Sequence, residues 1–185
     1  MKTKEITLSA LMIALLAICS QLSIPIGPIP ITLQTFAVLL IGMLMPTKNA
    51  LIVTSAYLAI GLIGFPVFAN GSGGLQSLLS PAFGFAIGFI PAAGIMASIL
   101  HKYEKPSLFQ YLIASFFATL VLYVIGLLYM TFILNVILNT DLSAMQIFSI
   151  GMLPFIPGDI AKAFFSAIIA LKLRAPLQNS IKLSF

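Results

Sequence analysis

Long apolar runs, interrupted by short clusters of proline, glycine and charge, organise the chain from end to end. Six runs stand out, at 6–24, 32–45, 50–65, 81–100, 108–138 and 147–173. A membrane-crossing helix needs about 20 predominantly apolar residues. The second run is short for that, so it is expected either to borrow the flanking Ile29 and Ile31 or to sit against a thin or protein-lined region. The fifth is long enough that it must tilt or protrude. Between the runs lie PIGPIP (25–30), the basic turn PTKN (46–49), the stretch FPVFANGSGGLQSLLSP (65–81), HKYEKPS (101–107) and LNTDLSAMQ (138–146). None has the length or composition of a domain linker. The echo between LIGFP and AIGFIP is too brief to establish an internal repeat. The pattern predicts one all-α integral membrane domain, residues 1–185, with six transmembrane helices.

Composition sharpens this reading. Hydrophobic residues make up 61% and charged residues 7%, where a soluble domain carries about 25% charge. Removing the apolar runs leaves no soluble domain behind. The first run follows a basic start, as a signal peptide does, but it is long and meets SIPIGPIP without a small-residue cleavage site, so it reads as a retained helix. The single cysteine, Cys19, lies in that run and has no partner for an intramolecular disulfide.

Charge then sets an orientation, because translocation disfavours Lys and Arg in outer loops. With the N-terminus inside, Lys2, Lys4, Lys48, Lys102, Lys105, Lys172, Arg174 and Lys182 all fall on the inner side, and Lys162 lies within a span. Both termini are therefore expected to be cytoplasmic, with the chain in the cell membrane. The net charge of +5 reports topology and contact with anionic lipid heads rather than nucleic acid, for which basic patches interleaved with aromatics would be expected. His101, the only histidine, falls in an inner loop and cannot by itself hold a metal.

Against this apolar background, PFIPGDIAKAFF (154–165) places Asp159 and Lys162 three residues apart inside the last span. An ionisable group at mid-membrane costs about 2.5 to 3.5 kcal/mol on insertion scales. A buried ion pair seldom outperforms an apolar replacement, so a polar pocket explains the pair better than helix packing does. Pro154, Pro157 and Gly158 interrupt the run. A helix restarting near Gly158 puts Asp159 in its first turn, where the helix dipole favours a carboxylate, and Lys162 one turn on along the same face. Gln34, Asn70 and Ser72 lie toward the same side of the membrane, and the glycines of FANGSGG allow close backbone approach to a ligand. Phe68 and Tyr57 read as core residues unless they share that pocket.

The runs PIGPIPITLQTFAVLLIG, YLAIGLIGFPVFANGSGG and PGDIAK together resemble the biotin-specific substrate-binding component (BioY) of energy-coupling factor transporters. The resemblance covers essentially the whole chain. It implies the six-helix S-component fold, high-affinity biotin capture from outside, and as partners a transmembrane coupling protein and two ATPase subunits. PGDIAK matches the family's Pro-Gly-Asp-x-x-Lys, so Asp159 and Lys162 are the implied ligand contacts, joined by Gln34 and by Ser72, or Asn70 if the loop shifts. Phe68 and Phe85 are candidate walls for the bicyclic ring. Asp159 suits a ureido N–H, while Lys162 suits either the ureido carbonyl or the carboxylate. The chain departs from the family at SPAFGF, where Phe83 replaces a glycine and Phe85 a tyrosine, which alters one side of the pocket. In the first helix, Ala10 and Ala14 match the alanine face by which such components dock on the coupling protein.

No cofactor is expected. The chain has no HExxH, GxSxG or second carboxylate beside Asp159 to make a membrane enzyme, and no GxxxxGK[ST] run, so any ATP use belongs to a partner. The alternative is a solitary or ion-coupled secondary carrier of biotin or a related small carboxylate, acting as a homo-oligomer with Asp159 as the protonatable group.

Overall fold

The computed structural model describes residues 3–25 and 27–181. Lys2 and Lys182, both counted on the inner side above, lie outside the described residues. Helix α1 (Thr3–Gln21) leads into a minimal antiparallel hairpin of β1 (Ser23–Ile24) and β2 (Ile31–Thr32). Helices α2 (Gln34–Leu44), α3 (Thr47–Ile63), α4 (Phe83–Leu100) and α5 (Leu108–Thr131) follow. Helix α5 continues as a π-helical stretch, Phe132–Ile137. The last crossing is α6 (Ala144–Gly151) and α7 (Ile156–Ile181), bent by 44° at the break. With that bent pair taken as one, six helical segments stand where the six apolar runs lie; four of them are long and apolar enough to cross a membrane, and α2 and α3 are shorter apolar helices.

The borders differ from those of the apolar runs for local reasons. Hydropathy places Ser23 and Ile24 in the first span, but they pair with Ile31 and Thr32 instead, and the prolines between the two strands fall in the hairpin's connection. The second run does not borrow its isoleucines. Helix α2 has 11 residues and buries all but two of them. At about 16 Å it is too short to cross alone, and it is lined by protein where it packs on α1, α4 and α7. Thr47 opens α3, so the basic turn is shorter than PTKN suggests. The last crossing breaks where prolines stand: Met152–Phe155 form the turn with Pro154 in it, and Pro157 occupies the second position of α7, where its missing N–H costs no intrahelical bond.

Helices α4 and α5 make the most extensive pair. A Cβ at Gly84 would meet Tyr129, and one at Gly88 would meet Leu122, so small residues let these backbones approach as membrane helices commonly do. The main core gathers Leu16, Ile41, Met43, Val53, Tyr57, Met96 and Tyr111 between the helices. The outer faces carry Leu11 and Ile18 on α1, Phe116, Leu120 and Leu128 on α5, and Ile160 and Phe165 on α7, all exposed. Apolar side chains on the outside are expected where the surrounding solvent is lipid.

Helix succession places the hairpin loop, the long segment 64–82 and the α5–α6 connection at one end. The α2–α3 turn, the α4–α5 loop and the C-terminal part of α7 lie at the other. Arg174, a simple basic residue by sequence, is only 3% exposed. Its guanidinium donates to the carbonyls of Leu100 and Tyr103 at 3.0 and 3.2 Å, capping the C-terminus of α4. Of the described Lys and Arg residues, all but Lys162 lie toward this second end.

Candidate functional site

The break in the last crossing frees the first turn of α7, and the Asp159 N–H donates to Phe155 O at 2.8 Å as the helix resumes. Asp159 and Lys162 therefore sit on one face, with Lys162 Nζ 2.9 Å from Asp159 Oδ1 and both residues 8% exposed. The other carboxylate oxygen, Oδ2, accepts a 2.6 Å bond from the hydroxyl of Tyr123 on α5. The pair is thus formally neutral and held from two helices. Tyr123 escaped the sequence reading because it lies within an unbroken apolar run, 36 residues from its partner, and nothing in the run marks which helical face turns inward.

Beside the pair lies a cavity of about 280 Å³. It is lined by Asp159 and Lys162 together with Gln34, Phe68, Asn70, Ser72 and Phe85, seven residues that the sequence reading singled out. Phe83, Phe89 and Leu122 add apolar wall, and Thr32, Ser77 and Ser80 add hydroxyls. A second small cluster, built on Ile29, Met130, Leu134 and Ile147 with Phe155 and Phe85 packed against it, ties the hairpin loop to α5 and α6 at the same end of the molecule.

Several contacts fix the walls. Gln34, the first residue of α2, receives a 3.0 Å bond from the Thr32 hydroxyl and donates to Tyr57 Oη at 2.8 Å. Tyr57, fully buried, donates through its hydroxyl to Val67 O at 2.7 Å, so it belongs to the support of the site as well as to the core. The same carbonyl accepts from Ser20 at 2.6 Å, and Gln21 donates to the carbonyls of Pro66 and Phe68 at 3.2 and 3.0 Å. The last turn of α1 therefore grips the segment that carries Phe68. That ring packs edge-to-face on Tyr57 and Phe83, at centroid distances of 5.6 and 5.8 Å. Gly61 makes room for it, since a Cβ there would run into the ring. Phe85 packs edge-on against Tyr123 at 6.2 Å and rests over Gly126, where a Cβ would likewise collide with it.

Asn70 stands at φ 59°, a left-handed conformation that asparagine tolerates, and its Oδ1 accepts a 2.8 Å bond from Ser23 of the hairpin. Ser72 donates to Ala69 O at 2.9 Å, and its own carbonyl accepts from the Phe68 N–H at 3.0 Å. The FANGSGG segment is thus an ordered turn. Ala10 and Ala14 do not join the cavity; both lie on the exposed face of α1, toward its N-terminal half.

Chemically, the arrangement offers a neutral donor–acceptor pair, further amide and hydroxyl groups, and aromatic walls. That combination suits a small organic molecule with a polar head and an apolar body.

A model of the BioY family matches residues 1–179. The probable biotin transporter BioY of Pyrococcus horikoshii is 36% identical over 174 residues, covering 94% of this chain and 98% of that protein. The probable biotin transporter BioY of Lysinibacillus sphaericus is 34% identical over 171 residues, with 92% and 87% covered. Among solved structures, the S-component for biotin from an ECF-type ABC transporter superposes with a TM-score of 0.82 at 31% identity, over 94% of this chain and 92% of that one. FolT bound with folic acid matches at TM-score 0.62 and 16% identity, covering 95% and 94%, a likeness of fold alone.

Proposed function

The chain belongs to the BioY family, and from that premise we propose that it captures biotin at the outer face of the cell membrane as the substrate-binding component of an energy-coupling factor transporter. The observation that carries this reading is the neutral Asp159–Lys162 pair lining a cavity with aromatic walls. Biotin's ureido group is neutral and presents two N–H donors beside a carbonyl acceptor. Asp159 accepts from a ureido N–H, and Lys162, which has protons beyond the one directed at Asp159, donates to the ureido carbonyl. A carboxylate would gain less from this site, because the lysine charge is already balanced by a carboxylate 2.9 Å away. Phe68 and Phe85 flank the bicyclic ring, and Gln34, Asn70 and Ser72 complete the polar lining.

The cavity end faces outward in this proposal, and both termini are cytoplasmic, since the basic residues gather at the other end. A cysteine placed at the exposed Ser143 is then labelled by an impermeant reagent on intact cells, and one at Ser107 is not. The coupling protein docks on the exposed face of α1 carrying Ala10 and Ala14, and two ATPase subunits supply the energy. The decisive experiment is equilibrium binding of radiolabelled biotin to the purified chain in detergent. Saturable binding that competes with unlabelled biotin is expected. Failure of wild-type protein to bind sinks the proposal, and uptake driven by a proton gradient without ATPase partners replaces it with the ion-coupled carrier.

A further inference from the structure

One hydroxyl in the cavity has no role in holding the fold. Ser77, in the short 3₁₀ turn Leu75–Leu79, is 8% exposed and lines the cavity. Among the described residues its Oγ is a buried side-chain oxygen without a hydrogen-bond partner. Burying a hydroxyl unpaired is costly, and alanine at this position would avoid that cost.

The hydroxyls near Ser77 are committed differently. Ser72 donates its proton to Ala69 O, and Ser80, whose Oγ accepts the Ala82 N–H at 3.3 Å, is only half-buried, so solvent takes the proton it has left. The turn bearing Ser77 packs on α3 and α4, whereas Asp159 and Lys162 come from α7, which packs on α2 and α5. The two polar groups therefore enter from different walls. A ligand whose head engages α7 must place its remaining polar end elsewhere along the lining. A hydroxyl whose proton is uncommitted suits an anionic oxygen, to which a carboxylate side chain such as Asp159 offers no donor.

Resting on the biotin reading above, we infer that Ser77 is a specificity-determining residue whose hydroxyl donates to the carboxylate at the end of the ligand remote from the Asp159–Lys162 pair. The hydrogen bond is charge-assisted, so its loss is felt strongly for the acid and weakly for a ligand whose acid end is neutral.

The test compares wild type with Ser77→Ala and Ser77→Thr, using biotin and the primary alcohol that replaces its carboxylate. Ser77→Ala is expected to weaken biotin binding roughly ten- to a hundredfold, and to weaken alcohol binding less than about threefold. Ser77→Thr, which keeps the hydroxyl, recovers at least part of the biotin affinity. Thermal unfolding of unliganded Ser77→Ala stays level or rises, which separates lost recognition from a damaged fold. Unchanged biotin affinity in Ser77→Ala overturns the inference while leaving the biotin reading intact, as does an equal loss for both ligands. Wild-type protein that binds neither overturns the reading and the inference together.

Discussion

Breaking the Asp159–Lys162 pair one member at a time, and then both together, separates what the pair does for the fold from what it does for the ligand. At 2.9 Å the two charges attract by about 6 kcal/mol at an effective dielectric near 20. Each ion also loses several kcal/mol of hydration, so the intact pair contributes little net stability, whereas removing one partner costs about 3 to 5 kcal/mol. Lys162→Met leaves a buried carboxylate held only by the Tyr123 hydroxyl, and Asp159→Asn leaves a buried ammonium. For a chain of this size each kcal/mol moves the melting point by about 2 to 4 °C, so either single variant is expected to melt roughly 6 to 20 °C lower. Asp159→Asn with Lys162→Met together recovers most of that loss, because no uncompensated charge remains. Biotin affinity follows a different course. Each single variant loses a charge-assisted contact worth about 1.5 to 3 kcal/mol, a factor of roughly ten to a hundred or more, and the double variant stays at least about a hundredfold weak. Thermal unfolding in detergent and equilibrium binding of radiolabelled biotin read the two effects on the same samples. A double variant that binds biotin within about threefold of wild type refutes the reasoning and returns the pair to helix packing.

Gly126→Ala puts a methyl group into the space of the Phe85 ring; overpacking of this kind costs about 1 to 3 kcal/mol, and where that cost falls on the bound state biotin titrations should show affinity lowered roughly five- to a hundred-and-fiftyfold. Arg174→Met removes two donors from the carbonyls that end α4 and is expected to cost about 3 kcal/mol or more, read as a melting point lower by at least roughly 6 °C, with biotin affinity unaffected. Ala10→Trp and Ala14→Trp, on the exposed face of α1, should abolish ATP-driven uptake and co-purification with the coupling protein while leaving biotin affinity within about threefold; collapse of binding as well would make that face part of the internal packing.

Features written locally were legible in the sequence. Asp159 and Lys162 announce themselves as charges in an apolar run, and the prolines and glycine around them mark the break that opens α7. Apolar runs locate the crossings, but they do not say which segments pack on protein. Helix α2 reads as a marginal span because burial by α1, α4 and α7 is a tertiary fact. Resemblance, rather than periodicity, picked out Phe85, whereas Ser72 stood out with Asn70 in the glycine-rich loop on the pocket side. Tyr123, Arg174 and Ser77 were silent for one shared reason: each acts across the bundle, on groups far away in the chain or in the cavity, and a helix or turn apolar on most faces gives no local sign of which side matters. Tyr57 reads as core and is core, but the sequence gives no sign that its hydroxyl bridges Gln34 to the Val67 carbonyl.

The neutrality of the α7 pair also has an electrical consequence. A membrane potential acts on net charge, at about 2.3 kcal/mol per elementary charge for each 100 mV. Asp159 and Lys162, locked together at 2.9 Å, present that field with a short dipole in place of a mobile ion. The empty pair therefore adds no net charge at this site, and a loaded site carries only the charge its ligand brings. Voltage therefore has little purchase on the unloaded pair, and acts at this site chiefly through the charge that a ligand adds.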